Sequence, residues 1–466
     1  MTDTALPDGF GLTLDASAKQ LTEELWFGGS PPRVVRLTAA GRRAWADLQH
    51  GPVASRSAGL LARRFADAGL AHPVPPACTN DDVTIVVPVY ERAAALARCL
   101  AALGTSHPVI VVDDASPDGS AVARICEQFG ASYVRRGCNG GAGAARNSGL
   151  AHVRSEFVAF VDSDCEPPPT WLPPLLAHLA DPLVAAVAPR IAGQAGDSWS
   201  GRYTRVRGSL DLGAAPARVC AGSRVTYVPT AALVARRAAL VDVRFDESLR
   251  VGEDVDLVWR LNDAGWRVRY EPAVQVGHRE PATWRELLAR RFRYGTSAAP
   301  LARRHPGDLA PLVLHPWPAL AVAGALARRP TVAGIGFAAS VLGMTRALRR
   351  ADVPTTGVVA AMARATQQTW LGIGRYATQF AAPALLAGLG SRRTRVAAAA
   401  LLLGPPLAAW ADDRRALDPV RFTVGNVADE IAYGAGVWTG CVRARTTEPL
   451  RPVVRRRPLR IDARRS

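Results

Sequence analysis

Acidic clusters follow the ends of apolar, β-branched segments in the middle of this chain. They lie in TIVVPVYE (84–91), VIVVDDAS (109–116), AFVDSDCEP (159–167) and VGEDVDLVWR (251–260). Apolar runs of this kind are typical of buried parallel strands, and ligand-binding loops follow the carboxyl ends of such strands. The pattern predicts an α/β enzyme that handles a charged, metal-bound nucleotide.

Composition and local patterns divide the chain into three predicted regions. Residues 1–77 are expected to form a small module with a strand pair in LTEELWFGGSPPRVVRL and helices in AAGRRAWADLQ and SAGLLARRFADAGL. Residues 78–305 alternate strand-like and helical segments, which indicates βαβ units around a mainly parallel sheet. Residues 306–466 are rich in Ala, Leu and Val, and they end in a basic tail.

The charged and sulfur-containing residues exclude several classes of protein. The net charge of +17 comes from arginine because Lys19 is the only lysine, so neither a P-loop nor a Schiff-base enzyme is supported. The basic stretches contain few aromatic residues, and we predict no nucleic-acid partner. The seven cysteines form no CxxC pair, and the segment MTDTALPDGF resembles no secretory signal, so we expect reduced thiols in the cytosol.

The DSD sequence is the strongest candidate for a metal site. In an extended segment, residues i and i+2 point to the same face, so we expect the carboxylates of Asp162 and Asp164 to converge. Hard oxygen ligands of this kind suit Mg²⁺ or Mn²⁺ carrying a diphosphate.

Two other strand ends offer contacts for a nucleotide. A carboxylate at Asp113 or Asp114 can cap a turn, or it can accept a hydrogen bond from a base N–H. Tyr90 and Glu91 end the preceding strand and are expected to flank the same crevice, with Tyr90 placed to stack on the base.

The glycine-rich segment CNGGAGAARNSG (138–149) does not match a dinucleotide-binding loop. Arg146 stands where the GxGxxG pattern needs its third glycine. The segment instead predicts a glycine-rich entry to a helix, where free N–H groups favour an anion. Arg146 is then either a phosphate-binding residue or an ordinary surface arginine.

A further acidic pair and a histidine follow downstream. Glu253 and Asp254 lie at a predicted helix start, where they either complement the helix dipole or place a general base in a cleft. His278 ends the strand-like RYEPAVQVGH and is either a third metal ligand or a structural histidine.

Together these motifs, in this order, resemble the family 2 glycosyltransferases of the GT-A fold over roughly residues 82–300. The resemblance implies a Rossmann-like mixed sheet and a nucleotide-sugar donor. It also implies that Asp114 contacts uracil, Asp162 the ribose or metal, Asp164 the metal and diphosphate, and that Asp254 is the catalytic base. Glu253, Tyr90, Glu91 and Arg146 are the remaining predicted substrate contacts, and Mg²⁺ or Mn²⁺ is the predicted cofactor. The QxxRW motif of the processive members is replaced by RRFRYGTSAAP (290–300), which leaves chain extension open.

A closer resemblance covers most of the chain. The segments FGGSPPRVVRLTAAG, RYEPAVQVGH and YGTSAAPLARRHP are similar to those of glycosyltransferases from mycofactocin systems. This likeness implies inverting transfer of glucose from UDP-glucose to a peptide-derived redox-cofactor precursor, which builds a β-linked oligoglucoside. Residues 1–77 also resemble small winged-helix peptide-recognition domains, which implies acceptor recruitment. The alternatives are a lipid or cell-envelope polysaccharide acceptor, a sugar nucleotidyltransferase, and a noncatalytic membrane scaffold.

The last region predicts association with a membrane. Apolar stretches lie at about 309–327, 330–345, 376–390 and 396–411, and they barely reach the ~20 residues that span a bilayer. Arginines stand at every boundary, so re-entrant hairpins or surface helices fit better than a multi-pass bundle. The arginines of RPVVRRRPLRIDARRS would attract anionic lipid. We therefore expect the cytoplasmic face of the cell membrane, with a soluble helical domain as the alternative.

Overall fold

The computed structural model describes residues 4–77, 80–194, 196–412 and 417–455, and the backbone of a short strand at Arg460–Asp462. Most of the basic tail, from residue 456 onward, lies outside the described side chains, as does Cys78. The chain divides into two compact units, which contain residues 1–194 with 207–280 and residues 195–206 with 281–461. This division differs from the predicted boundary near residue 305, because residues 281–305 belong to the second unit.

The N-terminal module has the predicted strand pair and helices. Its elements are β1 (Gly11–Leu14), β2 (Lys19–Gln20), β3 (Leu25–Gly28), β4 (Arg33–Arg36), α1 (Ala39–His50), α2 (Arg56–Ala68) and β5 (Ala71–Val74). Strands β3 and β4 pair antiparallel. The hydroxyls of Thr38 and Ser55 cap the two helices by accepting backbone N–H groups, and Gly69 ends α2 in a left-handed conformation with φ of 70°. The aromatic rings of Trp26, Trp45 and Phe65 pack together in its core.

Buried ion pairs join this module to the sheet domain within the first unit. Both Nη atoms of Arg63 donate to the carboxylate of Asp181 at 2.7 Å, and the two side chains are only 6% and 2% exposed. Arg267 of the sheet domain donates through Nη2 to Asp67 of the module at 2.9 Å. The module is therefore a fixed part of this unit.

We expect Arg63→Met to lower the free energy of unfolding by about 3–5 kcal/mol, because it leaves the buried carboxylate of Asp181 without its cation. Denaturant unfolding of the full chain measures this change. The double variant Arg63→Met/Asp181→Leu should recover most of the loss. Arg205→Met, which removes a pair to the 96% exposed Asp197, should change stability by less than about 1 kcal/mol. Equal stabilities for Arg63→Met and this control would contradict the prediction.

Among the described residues, nine strands of the first unit form one mixed sheet. They are β6 (Val83–Val89), β7 (Val109–Asp113), β8 (Ser132–Arg135), β9 (Phe157–Val161), β10 (Cys165–Glu166), β11 (Val184–Gln194), β12 (Ala217–Val219), β13 (Ala232–Arg236) and β14 (Arg267–Arg279). The order is β10-β14-β11-β13-β9-β6-β7-β8, with β12 against β14. Strands β6, β7, β8 and β9 run parallel to one another, whereas β13 runs antiparallel to β9 and β11. The sheet is thus mixed, as the resemblance to the GT-A fold implied, and the mainly parallel arrangement expected from the βαβ pattern holds for β6 to β9.

Helices connect these strands and cover the sheet. They are α3 (Ala93–Leu103), α4 (Gly119–Phe129), α5 (Ala142–Leu150), α6 (Leu172–His178), α8 (Ala239–Asp242) and α9 (Glu253–Asp263). The helix α7 (Trp199–Arg207), which follows β11 in the chain, lies almost entirely in the second unit. Every residue of β6, β7 and β9 is buried, as expected for strands covered on both faces. Helix α5 lies so close to β6 that a Cβ at Gly149 would approach Cγ1 of Val86 to 2.4 Å. Because β6, β7 and β9 are parallel, their carboxyl ends meet at one edge of the sheet.

The second unit is mainly helical. Its elements are α10 (Trp284–Thr296), α11 (Ala298–Arg304), β15 (Val313–Leu314), α12 (Pro316–Leu326), α13 (Pro330–Arg350), α14 (Val358–Gly390), α15 (Arg395–Asp412), α16 (Pro419–Ala444) and β16 (Val453–Val454). Helices α10 and α16 are in close contact, since a Cβ at Gly436 would lie 2.0 Å from the carbonyl oxygen of Phe292. The predicted apolar stretches fall largely within α12 to α15, but α14 begins well before residue 376.

Within the described part of the chain, one helix has the length and apolarity to cross a membrane. It is α13, with a mean hydropathy of 1.4 over its most apolar window. Buried helices of soluble proteins can have the same length and apolarity.

Candidate active site

In the loop after β7, the neighbouring carboxylates of Asp113 and Asp114 have different hydrogen-bond partners. Asp113 is fully buried and accepts hydrogen bonds from the Ser116 N–H at 2.8 Å, the Tyr133 hydroxyl at 2.8 Å and Nη1 of Arg135 at 2.6 Å. Asp113 is therefore the turn-capping residue that the sequence allowed. It shapes the loop and directs Asp114 toward the next segment.

Asp114 holds the glycine-rich loop. Its two carboxylate oxygens accept the N–H groups of Gly140 at 2.9 Å and Gly141 at 2.7 Å, and Nε of Arg136 lies 2.9 Å from Oδ1. Gly141 has a φ of 90°, which favours glycine, and it directly precedes α5. The predicted anion at this helix start is thus the chain's own aspartate, and contact of Asp114 with a base stays a prediction.

The DSD segment is a turn and is not extended. Strand β9 ends at Val161, and the Asp162 carbonyl accepts the N–H of Cys165 at 2.9 Å. The extended backbone expected for this segment was therefore wrong, and the two side chains contact different groups. Asp164 still adds to the effect of burial in raising the pKa of Asp162, against the opposing effect of Arg146.

Arg146 lies inside the site. Its guanidinium is 2% exposed and donates to Oδ1 of Asp162 at 2.6 Å and to Oε1 of Glu253 at 2.8 Å. It also lies over the ring of Phe245, 5.4 Å from the centroid. Although burial alone would lower it, the pKa of Arg146 is raised by these two carboxylates. Arg146 is therefore not a surface arginine. It joins the DSD turn to the acidic start of α9. Its contact with a phosphate stays a prediction.

Asp254 does not take part in the ion pairs of Arg146. It follows Glu253 in the first turn of α9, is partly exposed, and accepts the N–H of Val255 at 2.8 Å. Burial and the neighbouring charge of Glu253 raise the pKa of Asp254 to about 7. A carboxyl group with a pKa near neutrality is suited to accept a proton at physiological pH. The role of Asp254 as the base stays a prediction.

Asp164 lies beside His278 at the end of β14. Oδ1 of Asp164 is 3.7 Å from Nε2 of His278, and Nδ1 of this histidine is 3.2 Å from Oε1 of Glu280. Nη1 of Arg92 contacts the other oxygen, Oδ2. Histidines that bind metals usually donate their second N–H to a carboxylate in this manner. The Arg92 guanidinium shows that the carboxylate accepts a cation.

These residues fit a divalent ion only if a substrate completes its coordination. In the described ranges, no three side chains of His, Cys, Asp or Glu are grouped closely enough to hold an ion. Mg²⁺ commonly binds one or two carboxylates together with substrate phosphates, without an all-protein cage. Asp164 and His278 are the residues that would hold the ion, and Asp162 as a ligand stays a prediction.

Tyr90 and Glu91 border this region from the end of β6. Tyr90 is 42% exposed, and a hydrogen bond to Glu91 raises the pKa of its hydroxyl. Glu91 has a positive φ of 59° and donates its N–H to Oγ of Ser116 at 3.0 Å. This unusual conformation ties the end of β6 to the loop that carries Asp114.

Sequence reasoning missed Arg92, Arg136 and Glu280. A signal existed for Glu280, which lies two residues after His278 and so shares its face in an extended segment. No comparable spacing identifies the partners of Arg92 and Arg136, since their carboxylates follow different strands.

Comparisons with known proteins show which chains this one is similar to. The family model described as "Glycosyl transferase family 2" matches residues 84–240. A pre-mycofactocin glycosyltransferase from Mycobacterium tuberculosis is 39% identical, covering 98% of this chain and 100% of that protein. Glycosyltransferase AglE from Haloferax volcanii is 26% identical over 46% of this chain and 71% of its own length. A solved mannosyltransferase from Pyrobaculum calidifontis, in complex with GDP-Man and Mn²⁺, is 20% identical, covers 63% of this chain and 88% of its own, and has a TM-score of 0.38.

The full-length likeness and the family match over residues 84–240 lead to one conclusion: the chain belongs to glycosyl transferase family 2 and is a glycosyltransferase.

Proposed function

We propose that this glycosyltransferase transfers glucose from UDP-glucose to the peptide-derived mycofactocin precursor, with inversion at the anomeric carbon and with Mg²⁺ or Mn²⁺. The likeness to a protein named pre-mycofactocin glycosyltransferase, which extends over 98% of the chain, supports the acceptor. The observation that carries the mechanism is the partly exposed Asp254, whose pKa is raised to about 7 beside the Arg146 pairs.

In this mechanism each group of the chain has one task. Asp254 accepts the proton of the acceptor hydroxyl while that oxygen attacks the anomeric carbon and the bond to the diphosphate breaks. Arg146 pairs with both Asp162 and Glu253 and so fixes the positions of these two carboxylates. Asp164 and His278 would hold the divalent ion, which would supply positive charge to the departing diphosphate. Asp114 and Tyr90 are the proposed contacts of the nucleotide base.

The test of this function uses the purified full chain, Mn²⁺ and a panel of donors. UDP-glucose, other UDP-sugars and GDP-mannose are each incubated with the peptide-derived acceptor, and nucleotide release and product mass are measured. We expect UDP release with UDP-glucose and a product that is heavier by whole hexose units. Release of pyrophosphate from a sugar phosphate and UTP would instead support a nucleotidyltransferase.

Glu280 gives a more specific prediction for the metal site. Glu280→Gln is expected to weaken Mn²⁺ binding about 10- to 100-fold, because outer-shell carboxylates orient the histidine that binds the ion. Isothermal titration in the presence of UDP measures this affinity. Glu286→Gln, which removes only the exposed capping carboxylate at the start of α10, is the matched control and should bind Mn²⁺ normally. An unchanged affinity in Glu280→Gln would exclude His278 as an oriented ligand.

We further propose that the second unit binds the cytoplasmic face of the cell membrane. Large apolar side chains are exposed on α13, α14 and α16, among them Ile335 at 62%, Val359 at 60% and Val442 at 74%. Arg349 and Arg350 lie in the last turn of α13 and would contact anionic lipid. The full chain should therefore float with vesicles that contain phosphatidylglycerol. Recovery in the soluble fraction at physiological salt without detergent would contradict this location.

The N-terminal module is proposed to recruit the acceptor. Its removal would leave Asp181 and Arg267 without their partners, so the test keeps the full chain and alters the exposed strand β2. Lys19→Glu should raise the KM for the acceptor and leave the KM for the donor unchanged. An unchanged acceptor KM would count against recruitment through this strand.

A further inference from the structure

An arginine of the chain lies on the carboxylate that is proposed to bind the metal ion. Nη1 of Arg92 donates to Oδ2 of Asp164, while Oδ1 of Asp164 faces His278 at 3.7 Å. The side chain of Arg92 is 60% exposed and that of Asp164 is 16% exposed. One of the two oxygens of Asp164 is therefore paired with a largely exposed guanidinium.

We propose that Arg92 exchanges between two partners, pairing with Asp164 in the free enzyme and with the donor's diphosphate once the metal ion is bound. This inference rests on the metal-dependent function proposed above. It assigns to Arg92 a role in the order of binding, which neither the sequence motifs nor the family match contains.

The first half of the exchange follows from charge. A divalent ion at Asp164 and the guanidinium of Arg92 would be two cations within a few ångströms on one carboxylate. Asp164 is mostly shielded from solvent, so screening between these cations is limited. Arg92 must leave when the ion binds, and it therefore competes with the ion.

The second half follows from where Arg92 is attached. It comes directly after Tyr90 and Glu91 at the end of β6 and immediately before α3, at the sheet edge where the nucleotide is expected. A guanidinium binds phosphate oxygens through two parallel N–H groups and is weakly hydrated. When the ion brings a diphosphate to Asp164, the displaced side chain has an anionic partner within reach of the same backbone position.

The two halves predict opposite effects of one substitution. In Arg92→Met, Mn²⁺ alone should bind about two- to fivefold more tightly, the factor expected from loss of a partly exposed ion pair. The KM for the nucleotide-sugar donor, measured at saturating Mn²⁺, should rise by about tenfold, as expected for loss of a charge-assisted phosphate contact. A residue with only a structural role would move both quantities in the same direction or neither.

The experiment measures free Mn²⁺ by electron paramagnetic resonance, without nucleotide, in the wild type and three variants. Arg98→Met is the matched control, because Arg98 lies on α3 and pairs with Glu166 at 3.4 Å; its Mn²⁺ affinity should equal that of the wild type. Arg92→Lys keeps the charge and should also leave Mn²⁺ affinity close to wild type, with a donor KM between those of the wild type and Arg92→Met. Asp164→Asn reports whether the ion is bound at Asp164 at all.

Three outcomes would overturn the exchange. If Asp164→Asn binds Mn²⁺ as well as the wild type, the metal site itself is misplaced and the proposed metal role fails with it. If only Asp164→Asn loses binding and Arg92→Met is unchanged or weaker, the metal site stands and the competition by Arg92 is refuted. An unchanged donor KM in Arg92→Met would refute the contact with the diphosphate.

Discussion

Asp254→Asn is expected to lower kcat by about 10²- to 10⁴-fold, the usual contribution of a positioned general base. The amide keeps the size of the side chain but cannot accept the acceptor's proton. Binding of the nucleotide-sugar donor should be unchanged, because the donor contacts are assigned to other residues. Steady-state kinetics and donor titration by calorimetry measure the two effects separately.

The raised pKa of Asp254 adds a pH dependence that Asp254→Asn should remove. Because the wild-type carboxyl titrates at about 7, kcat/KM should rise with pH through this value and become constant above it. Asp263→Asn, at the exposed end of the same helix, is the matched control and should keep the wild-type profile. A fully active Asp254→Asn enzyme would exclude Asp254 as the base.

The same carboxyl should influence stability with a defined sign. Its pKa is raised in the folded state from 3.8 to about 7, so the folded state retains a proton that the unfolded state has already released. Wild-type stability should therefore fall as the pH rises from about 4 to about 7. At pH 8, Asp254→Asn should be more stable on the order of 1–4 kcal/mol, at ~1.4 kcal/mol per pKa unit. At pH 4 the two proteins should unfold alike.

Asp164→Asn is expected to weaken Mn²⁺-dependent donor binding by about 100-fold or more, since the loss of even an outer-shell partner weakens metal binding by 10- to 100-fold. An amide oxygen remains at the position but carries no charge to offset that of the ion. Calorimetric titration with UDP in the presence and absence of Mn²⁺ measures the metal-dependent part directly. Asp197→Asn, at a 96% exposed side chain, is the control and should bind as the wild type does.

This second prediction differs from the first in what is lost. Asp254→Asn should retain donor binding and lose turnover, whereas Asp164→Asn should lose binding and recover part of its rate at high Mn²⁺. If both variants lost donor binding equally, the separation of metal ligand from general base would be wrong.

The part of the site's arrangement that depends on the strands could be predicted from the sequence. Buried runs such as Val83–Val89 and Phe157–Val161 identify parallel strands, and parallel strands bring their carboxyl ends together. The convergence of the loops that carry Asp114 and Asp164 followed from this rule alone.

The partners of these carboxylates could not be predicted, because they depend on which side chains the connecting helices bring near. The helix α5 buries Arg146 between two carboxylates that lie 16 and 107 residues away in the chain. The turn at Asp162 also escaped prediction, since the two-residue spacing holds only while the backbone remains extended.

The helical second unit was predicted from its apolar stretches only in part. Helix α16 was missed because Asn426, Asp429 and Glu430 interrupt its apolar pattern. In the structure all three are buried, and Nε of Arg291 on α10 lies 2.5 Å from Oδ1 of Asp429. From the sequence alone, a polar residue that is buried and paired inside a helical unit cannot be told apart from a surface residue.

The central claim is that Asp164 and His278 hold one divalent ion and a sugar diphosphate, with Asp254 facing the acceptor. Anomalous diffraction from crystals of the full chain with Mn²⁺ and UDP tests it most directly. We predict a manganese peak in contact with Asp164 and Nε2 of His278, the diphosphate bound to it, and the Asp254 carboxyl free on the open side. A peak at another group of residues, with Asp164 still paired to Arg92, would contradict this account.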